Sequence, residues 1–149
     1  MAVNFFDEEI RSSLTNKRIV KGWISQIAKN KGFKITALNY IFCSDDYLLD
    51  ININYLNHND YTDIITFDQS EKPEEIEGDI YVSIDRVKEN AIKHNTSYQQ
   101  ELCRVLAHGL LHLCGYKDKT QNQKEKMRRE ENGALSLLSI STVPRGTVR

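Results

Sequence analysis

The sequence has few prolines, glycines and cysteines, and it has no long apolar run. Its 149 residues include 2 Pro, 7 Gly and 3 Cys, contents that exclude a collagen-like chain and a largely disordered one. No run of eighteen apolar residues occurs, which excludes a spanning helix. The first residues lack the basic segment and apolar core of a signal peptide, so we expect a cytoplasmic protein without membrane contact.

Charge of one sign is also lacking. Lys and Arg number 20 against 21 Asp and Glu, for a net charge of -1. This balance does not announce a nucleic-acid binder, although a local basic patch would suffice for one. Cys43, Cys103 and Cys114 are odd in number and form no pair motif, so we expect free thiols.

Apolar periodicity and capping residues predict strands and helices in mixed order. Strands are predicted over 3–6, 35–43, 64–67 and 79–84, helices over 16–31, 47–56, 98–113 and 121–138, and a further helix ending near 94. The glutamate-rich segment 71–77 is predicted as a solvated loop. This order favours a single α+β domain over 1–138, with a small mixed sheet packed with helices. The tail 139–149 is predicted to be loose.

The segment that carries chemistry lies at the end of helix 98–113. His108 and His112 are spaced i, i+4, so their imidazoles share one helix face and can hold one metal ion. Gly115 can turn the chain, and Asp118 is the first plausible third ligand after it. Position 109 is Gly, whereas a zinc protease of the His-Glu-x-x-His type has its general base there, so peptidase chemistry is disfavoured.

The same residues resemble a family signature. His108-Gly-Leu-Leu-His-Leu-Cys-Gly-Tyr116 is similar to the His-Gly-x-Leu-His-Leu-x-Gly-Tyr-Asp-His motif of the YbeY endoribonucleases, and all seven defined positions through Tyr116 agree. Weaker matches occur in order at Ile51-Asn52-x-x-Tyr55, at 62–67 and at Gly78-Asp79-Ile80. The resemblance covers residues 3–138.

The resemblance implies a zincin-like fold around a central metal-binding helix with one Zn²⁺ per chain. It also implies a metal-dependent hydrolase, an endoribonuclease that prefers single strands. Such an enzyme would act in 3′ maturation of small-subunit ribosomal RNA and in ribosome quality control. Ribosomal RNA and the small ribosomal subunit would be its partners.

Three positions depart from the family pattern. Lys117-Asp118 replaces Asp-His, so Asp118 takes the place of the third metal histidine, and aspartate is an acceptable zinc ligand. The family's arginine falls at Leu56, and His58 nearby is the candidate for its catalytic role; the alternative is a histidine that merely ends a helix. The proline usual before Thr-Asp is Tyr61.

Substrate contacts are predicted on both sides of the metal. The residues expected to contact RNA are Thr62, Asp63, Thr66, Lys124 and Arg128. Lys124 and Arg128 belong to a basic run over 117–129 that otherwise reads as a solvated helix face. Arg104, one turn before His108, is predicted to act in catalysis by pairing with phosphate, and the alternative is a surface pair with Glu101.

Two other functions remain open from the sequence. The metal could be structural in a ribosome-associated assembly or binding factor, an alternative supported by the absence of the arginine at Leu56. The site could also belong to a metal hydrolase that acts on another substrate.

Overall fold

Strands and helices follow one another in the mixed order that the sequence predicts. The computed structural model describes residues 2–142. Its elements are β1 (Val3–Asp7), α1 (Lys17–Asn30), β2 (Lys34–Cys43), α2 (Asp45–Leu56), β3 (Ile64–Asp68), β4 (Glu75–Ser83), α3 (Ile84–Lys93), α4 (Tyr98–Leu113) and α5 (Gln121–Thr142). Serines at three of the predicted helix starts accept the capping hydrogen bond: Ser44, Ser83 and Ser97.

The four strands form one mixed sheet in the order β1-β2-β4-β3. The β1–β2 and β2–β4 pairs are parallel, and β3 runs antiparallel to β4. Leu38, Tyr40 and Phe42 alternate along β2 and are fully buried on one face of the sheet. This sheet with its helices confirms the predicted α+β class.

The prediction of a loop over 71–77 is wrong for residues 75–77, because β4 already begins at Glu75. Glu75 and Ile76 pair with Lys34 and Ile35 of β2, and Ile76 is buried. The glutamates on either side of Ile76 suggested a solvated segment. Pairing with a distant strand overrides that local preference.

Helices cover both faces of the sheet. The larger core lies between the sheet and helices α1, α4 and α5, whereas α2 packs on the opposite face through Leu48 and Ile51. Two buried hydrogen bonds tie the larger core together: the Tyr40 hydroxyl donates to the Leu106 carbonyl at 2.9 Å, and Trp23 Nε1 donates to the Ala134 carbonyl at 2.7 Å. These contacts fix α4 against the sheet and α5 against α1.

Helix α5 extends to Thr142, beyond the predicted end at 138. Residues 143–149 of the predicted tail lie outside the described residues. Among the described residues, none of the helices is both long and apolar enough to cross a membrane. Cys43 and Cys103 are buried and Cys114 is half-buried, and all three are free thiols.

Candidate metal centre

The site is built on the last two turns of α4. Helical spacing brings the two imidazoles together, with His108 Nε2 and His112 Nε2 3.0 Å apart and the rings nearly perpendicular at 80°. Gly109, between them, lets the helix approach the sheet: an added Cβ would lie 2.9 Å from the Ile64 side chain and 3.0 Å from that of Ile80. The close approach of α4 therefore sets the position of the histidines relative to β3.

The loop after α4 returns a carboxylate to the same point. Gly115 has a φ of 99°, a conformation that glycine adopts readily, and it reverses the chain. The Asp118 carboxylate then places Oδ2 3.2 Å from His108 Nε2 and 3.4 Å from His112 Nε2. The three residues predicted as ligands are thus brought together in a group that can hold a metal ion.

The donor atoms fit a tetrahedral ion. Ligand atoms around such an ion, with bonds of about 2.1 Å, lie about 3.4 Å apart. The three observed separations, 3.0, 3.2 and 3.4 Å, are close to that value. Two imidazole nitrogens and one carboxylate oxygen also leave a fourth position for water or substrate, as catalytic zinc sites do.

Glu131 of α5 contacts His108 on the side of the ring away from Asp118. This residue was not predicted from the sequence. Its Oε2 lies 2.7 Å from His108 Nδ1, and because a carboxylate only accepts, Nδ1 donates. In the neutral imidazole this leaves the lone pair on Nε2, the atom that faces Asp118. The contact between His108 and Glu131 could not be predicted from the local sequence, since the two residues lie on different helices and meet only when α4 packs on α5.

Burial and neighbouring charges shift both partners. Burial lowers the pKa of His108, but the hydrogen bond and charge of Glu131 outweigh this effect and raise it. The carboxylates of Asp118 and Asp63 act in the same direction. Burial raises the pKa of Glu131, but the hydrogen bonds and charges of His108 and Arg104 outweigh this effect, so the net direction is downward. The pair is therefore held with the carboxylate charged.

Arg104 lies beside this pair with its guanidinium engaged. One terminal nitrogen donates to Glu131 Oε1 at 3.0 Å and the other to Asn132 Oδ1 at 3.1 Å. The alternative partner considered from the sequence, Glu101, lies instead near His94, with Oε1 3.6 Å from Nδ1. Contact of Arg104 with phosphate stays a prediction, and its observed partners give it a positioning role at Glu131.

A cavity of about 290 Å³ opens beside His108. Asp63 before β3 and Lys124 and Arg128 of α5 contribute to its lining. Three of the residues predicted to contact RNA therefore share one cavity with His108 and Asp118, two of the candidate ligands.

The remaining predicted residues lie elsewhere. Thr62 donates its hydroxyl hydrogen bond to the Ile64 carbonyl at 3.3 Å, and Thr66 is half-buried in β3 opposite Ile80. His58 is exposed in the loop after α2, and its backbone N–H donates to the Asn52 carbonyl at 3.1 Å. Within residues 2–142 these three side chains are not part of the cavity lining.

Comparisons with known proteins point to one family. A family model described as Endoribonuclease YbeY matches residues 3–139. An Endoribonuclease YbeY of Cytophaga hutchinsonii is 54% identical over 133 residues, which cover 89% of this chain and 93% of that protein. One of Parabacteroides distasonis is 44% identical over 138 residues, 93% of this chain and 96% of that protein. A solution structure of a Thermotoga maritima protein has the same fold, with a TM-score of 0.62 at 24% identity over 99% of both chains.

Proposed function

The chain belongs to the YbeY endoribonuclease family and is a nuclease, and we propose that it cleaves single-stranded RNA with a metal ion held by His108, His112 and Asp118. The observation that supports metal dependence is the convergence of three donor atoms within 3.4 Å of one another. Glu131 behind His108 strengthens it, because metal-ligating histidines usually donate their other ring nitrogen to such a partner.

Zn²⁺ is the ion that this donor set favours, one per chain, since imidazole and carboxylate are both common zinc ligands. When bound, the ion supplies Lewis acidity that polarises a phosphate oxygen or a water molecule. Nickel and other imidazole-compatible ions share these preferences, so metal analysis of the purified protein is part of the test.

The chain's own residues bind and orient the substrate. Lys124 and Arg128 are four residues apart on α5 and line the cavity, so their cationic heads can pair with RNA phosphates. Asp63, which also lines the cavity, can accept a hydrogen bond from a ribose hydroxyl. Glu131 keeps the proton of His108 on Nδ1. A cavity of about 290 Å³ suits one splayed nucleotide, which supports a preference for single strands.

For the substrate in the cell, we propose small-subunit ribosomal RNA at its 3′ end, with roles in maturation and ribosome quality control. The small ribosomal subunit would be the partner and the cytoplasm the compartment. Membership of the family supports these proposals.

The test is cleavage of a single-stranded RNA oligonucleotide by the wild type and by His112→Ala and Asp118→Ala, with and without chelator. We expect cleavage by the wild type, loss in both variants and loss with chelator. Asp50→Ala is the control: Asp50 is exposed on α2, which packs on the other face of the sheet, and this variant keeps activity.

Equal cleavage by the wild type and His112→Ala would indicate a contaminating nuclease and overturn the proposal. A zinc-loaded wild type that binds RNA but does not cleave it would favour the binding-factor alternative. That alternative stays open because the exposed Leu56 occupies the position of the family's arginine. Asp118→His tests the ligand assignment directly, because an imidazole at this position should preserve metal binding.

A further inference from the structure

A second cavity lies on the other side of the loop that carries Asp118. It has a volume of about 410 Å³, within the range of small-molecule sites. The side chains that matter here are Lys31, Phe33, Tyr116, Lys117 and Lys126, which we call the lysine–tyrosine pocket.

The pocket concentrates positive charge around one aromatic ring. Lys31 Nζ lies 5.4 Å and Lys126 Nζ 5.5 Å from the centroid of the Tyr116 ring. Glu130 pairs with Lys31 and offsets one charge, while Lys126 and Lys117 are exposed. The exposed ammonium groups of Lys117 and Lys126 on one concave surface attract an anion, because clefts lined by one sign of charge focus the field.

The pocket also offers aromatic surface. Phe33 and Tyr116 are both half-buried and line its wall. Aromatic side chains stack with bases of any sequence, and lysines alongside them pair with the backbone phosphates. Phosphate and a flat aromatic group occur together in a nucleotide, which fits this lining better than an acidic peptide does.

The pocket adjoins the loop that carries Asp118 of the candidate metal centre. Tyr116 precedes Asp118 by two residues, so their Cα atoms are at most about 7 Å apart. Lys124 and Arg128 of α5 face the cavity beside His108, whereas Lys126 of the same helix faces the pocket. An RNA strand at the metal could therefore extend around the loop and remain beside cationic side chains.

We propose that the lysine–tyrosine pocket binds a neighbouring nucleotide of the single-stranded RNA, with its base on the aromatic wall and its phosphate paired by Lys126 and Lys117. This inference rests on the proposed function, since it takes RNA as the substrate of the adjacent site. It assigns to the pocket a role in holding the strand rather than in cleaving it.

The experiment measures affinity for a fluorescent nine-nucleotide oligouridylate in chelator, so that binding is read without cleavage. The affinity falls as the salt concentration rises. We expect Lys126→Ala to make this dependence less steep, reducing the magnitude of the slope of log affinity against log salt by about 0.7, the value for one phosphate contact on a single strand. Tyr116→Leu should weaken binding by about 5- to 150-fold with an unchanged salt slope, because only stacking is removed. Tyr116→Phe keeps the ring and should bind like the wild type.

The matched control is Lys17→Ala, the same exchange at the exposed opposite end of α1, about 20 Å from Lys31. It should leave both affinity and salt slope unchanged. Far-ultraviolet circular dichroism checks that Tyr116→Leu is folded, and the exposed Lys126 gives a variant that does not disturb the core.

Suppose that the wild type binds and cleaves RNA and that Lys126→Ala and Tyr116→Leu bind it with unchanged affinity. This result would overturn the pocket assignment and leave the proposed function standing. Failure of the wild type to cleave RNA in the metal-loaded state would instead overturn the proposed function. Loss in Lys126→Ala equal to that in Lys17→Ala would show a general charge effect and would also overturn the assignment.

Discussion

Replacing Glu131 by glutamine tests the link between α5 and the metal centre. Glutamine has nearly the same shape but only one carbonyl oxygen, whereas the carboxylate accepts from His108 at 2.7 Å and from Arg104 at 3.0 Å. The amide group must therefore face one donor with its own hydrogens. If it faces His108, the imidazole proton is favoured on Nε2, the atom needed by the metal.

Two magnitudes follow. Loss of such an outer partner lowers metal affinity by about 10- to 100-fold, or about 1.4 to 2.7 kcal/mol. Leaving one buried donor without a partner costs about 1–3 kcal/mol in the free energy of unfolding. We expect both losses in Glu131→Gln, measured by competition with a chromophoric zinc chelator and by urea denaturation of the metal-free protein.

Glu130→Gln is the matched control, since Glu130 lies next in the same helix but pairs with Lys31 on the other side. Its zinc affinity should equal that of the wild type. A Glu131→Gln affinity within twofold of the wild type would refute the reasoning, because the hydrogen bond to Nδ1 would then have no influence on the ligand atom.

Two further predictions concern stability. Gly109→Ala should lower the free energy of unfolding by about 1–3 kcal/mol, because its Cβ would press on Ile64 and Ile80. The control is Gly133→Ala, which has open space around its Cβ and should instead raise the free energy of unfolding by about 0.5–1 kcal/mol. Urea denaturation measures both changes. Burial raises the pKa of Glu101, an effect that His94 only partly offsets, so the folded protein loses stability as the pH rises above the unfolded value near 4.5. Glu101→Gln should therefore be more stable than the wild type at pH 7 and lose this advantage at pH 4; an equal difference at both pH values would contradict the assignment.

Local signals in the sequence account for most of the fold. The predicted bounds of the helix at 98–113 match α4, because Ser97 and Gly115 mark its ends chemically. The start of β4 at Glu75 was missed because its reason is a partner strand about forty residues earlier in the chain. Pairing between distant segments leaves no trace in a local pattern.

The candidate site shows the same division. Helical spacing and one glycine turn suffice to predict that His108, His112 and Asp118 meet, although their role as ligands stays a prediction. Glu131 could not be found in this way, because it reaches His108 only through the packing of two helices. Arg104 was placed on the correct face, but its partner Glu131 belongs to the same distant contact.

The position of α5 in the chain has a consequence for biosynthesis. This helix supplies Glu131, Lys124 and Arg128, and it docks onto α1 through the Trp23–Ala134 hydrogen bond. It leaves the ribosome after every other helix described above, when His108 and His112 have already been synthesised. A nascent chain therefore lacks the partner of His108, and the side chains of Lys124 and Arg128, until α5 has been synthesised, so the complete site cannot form before that point.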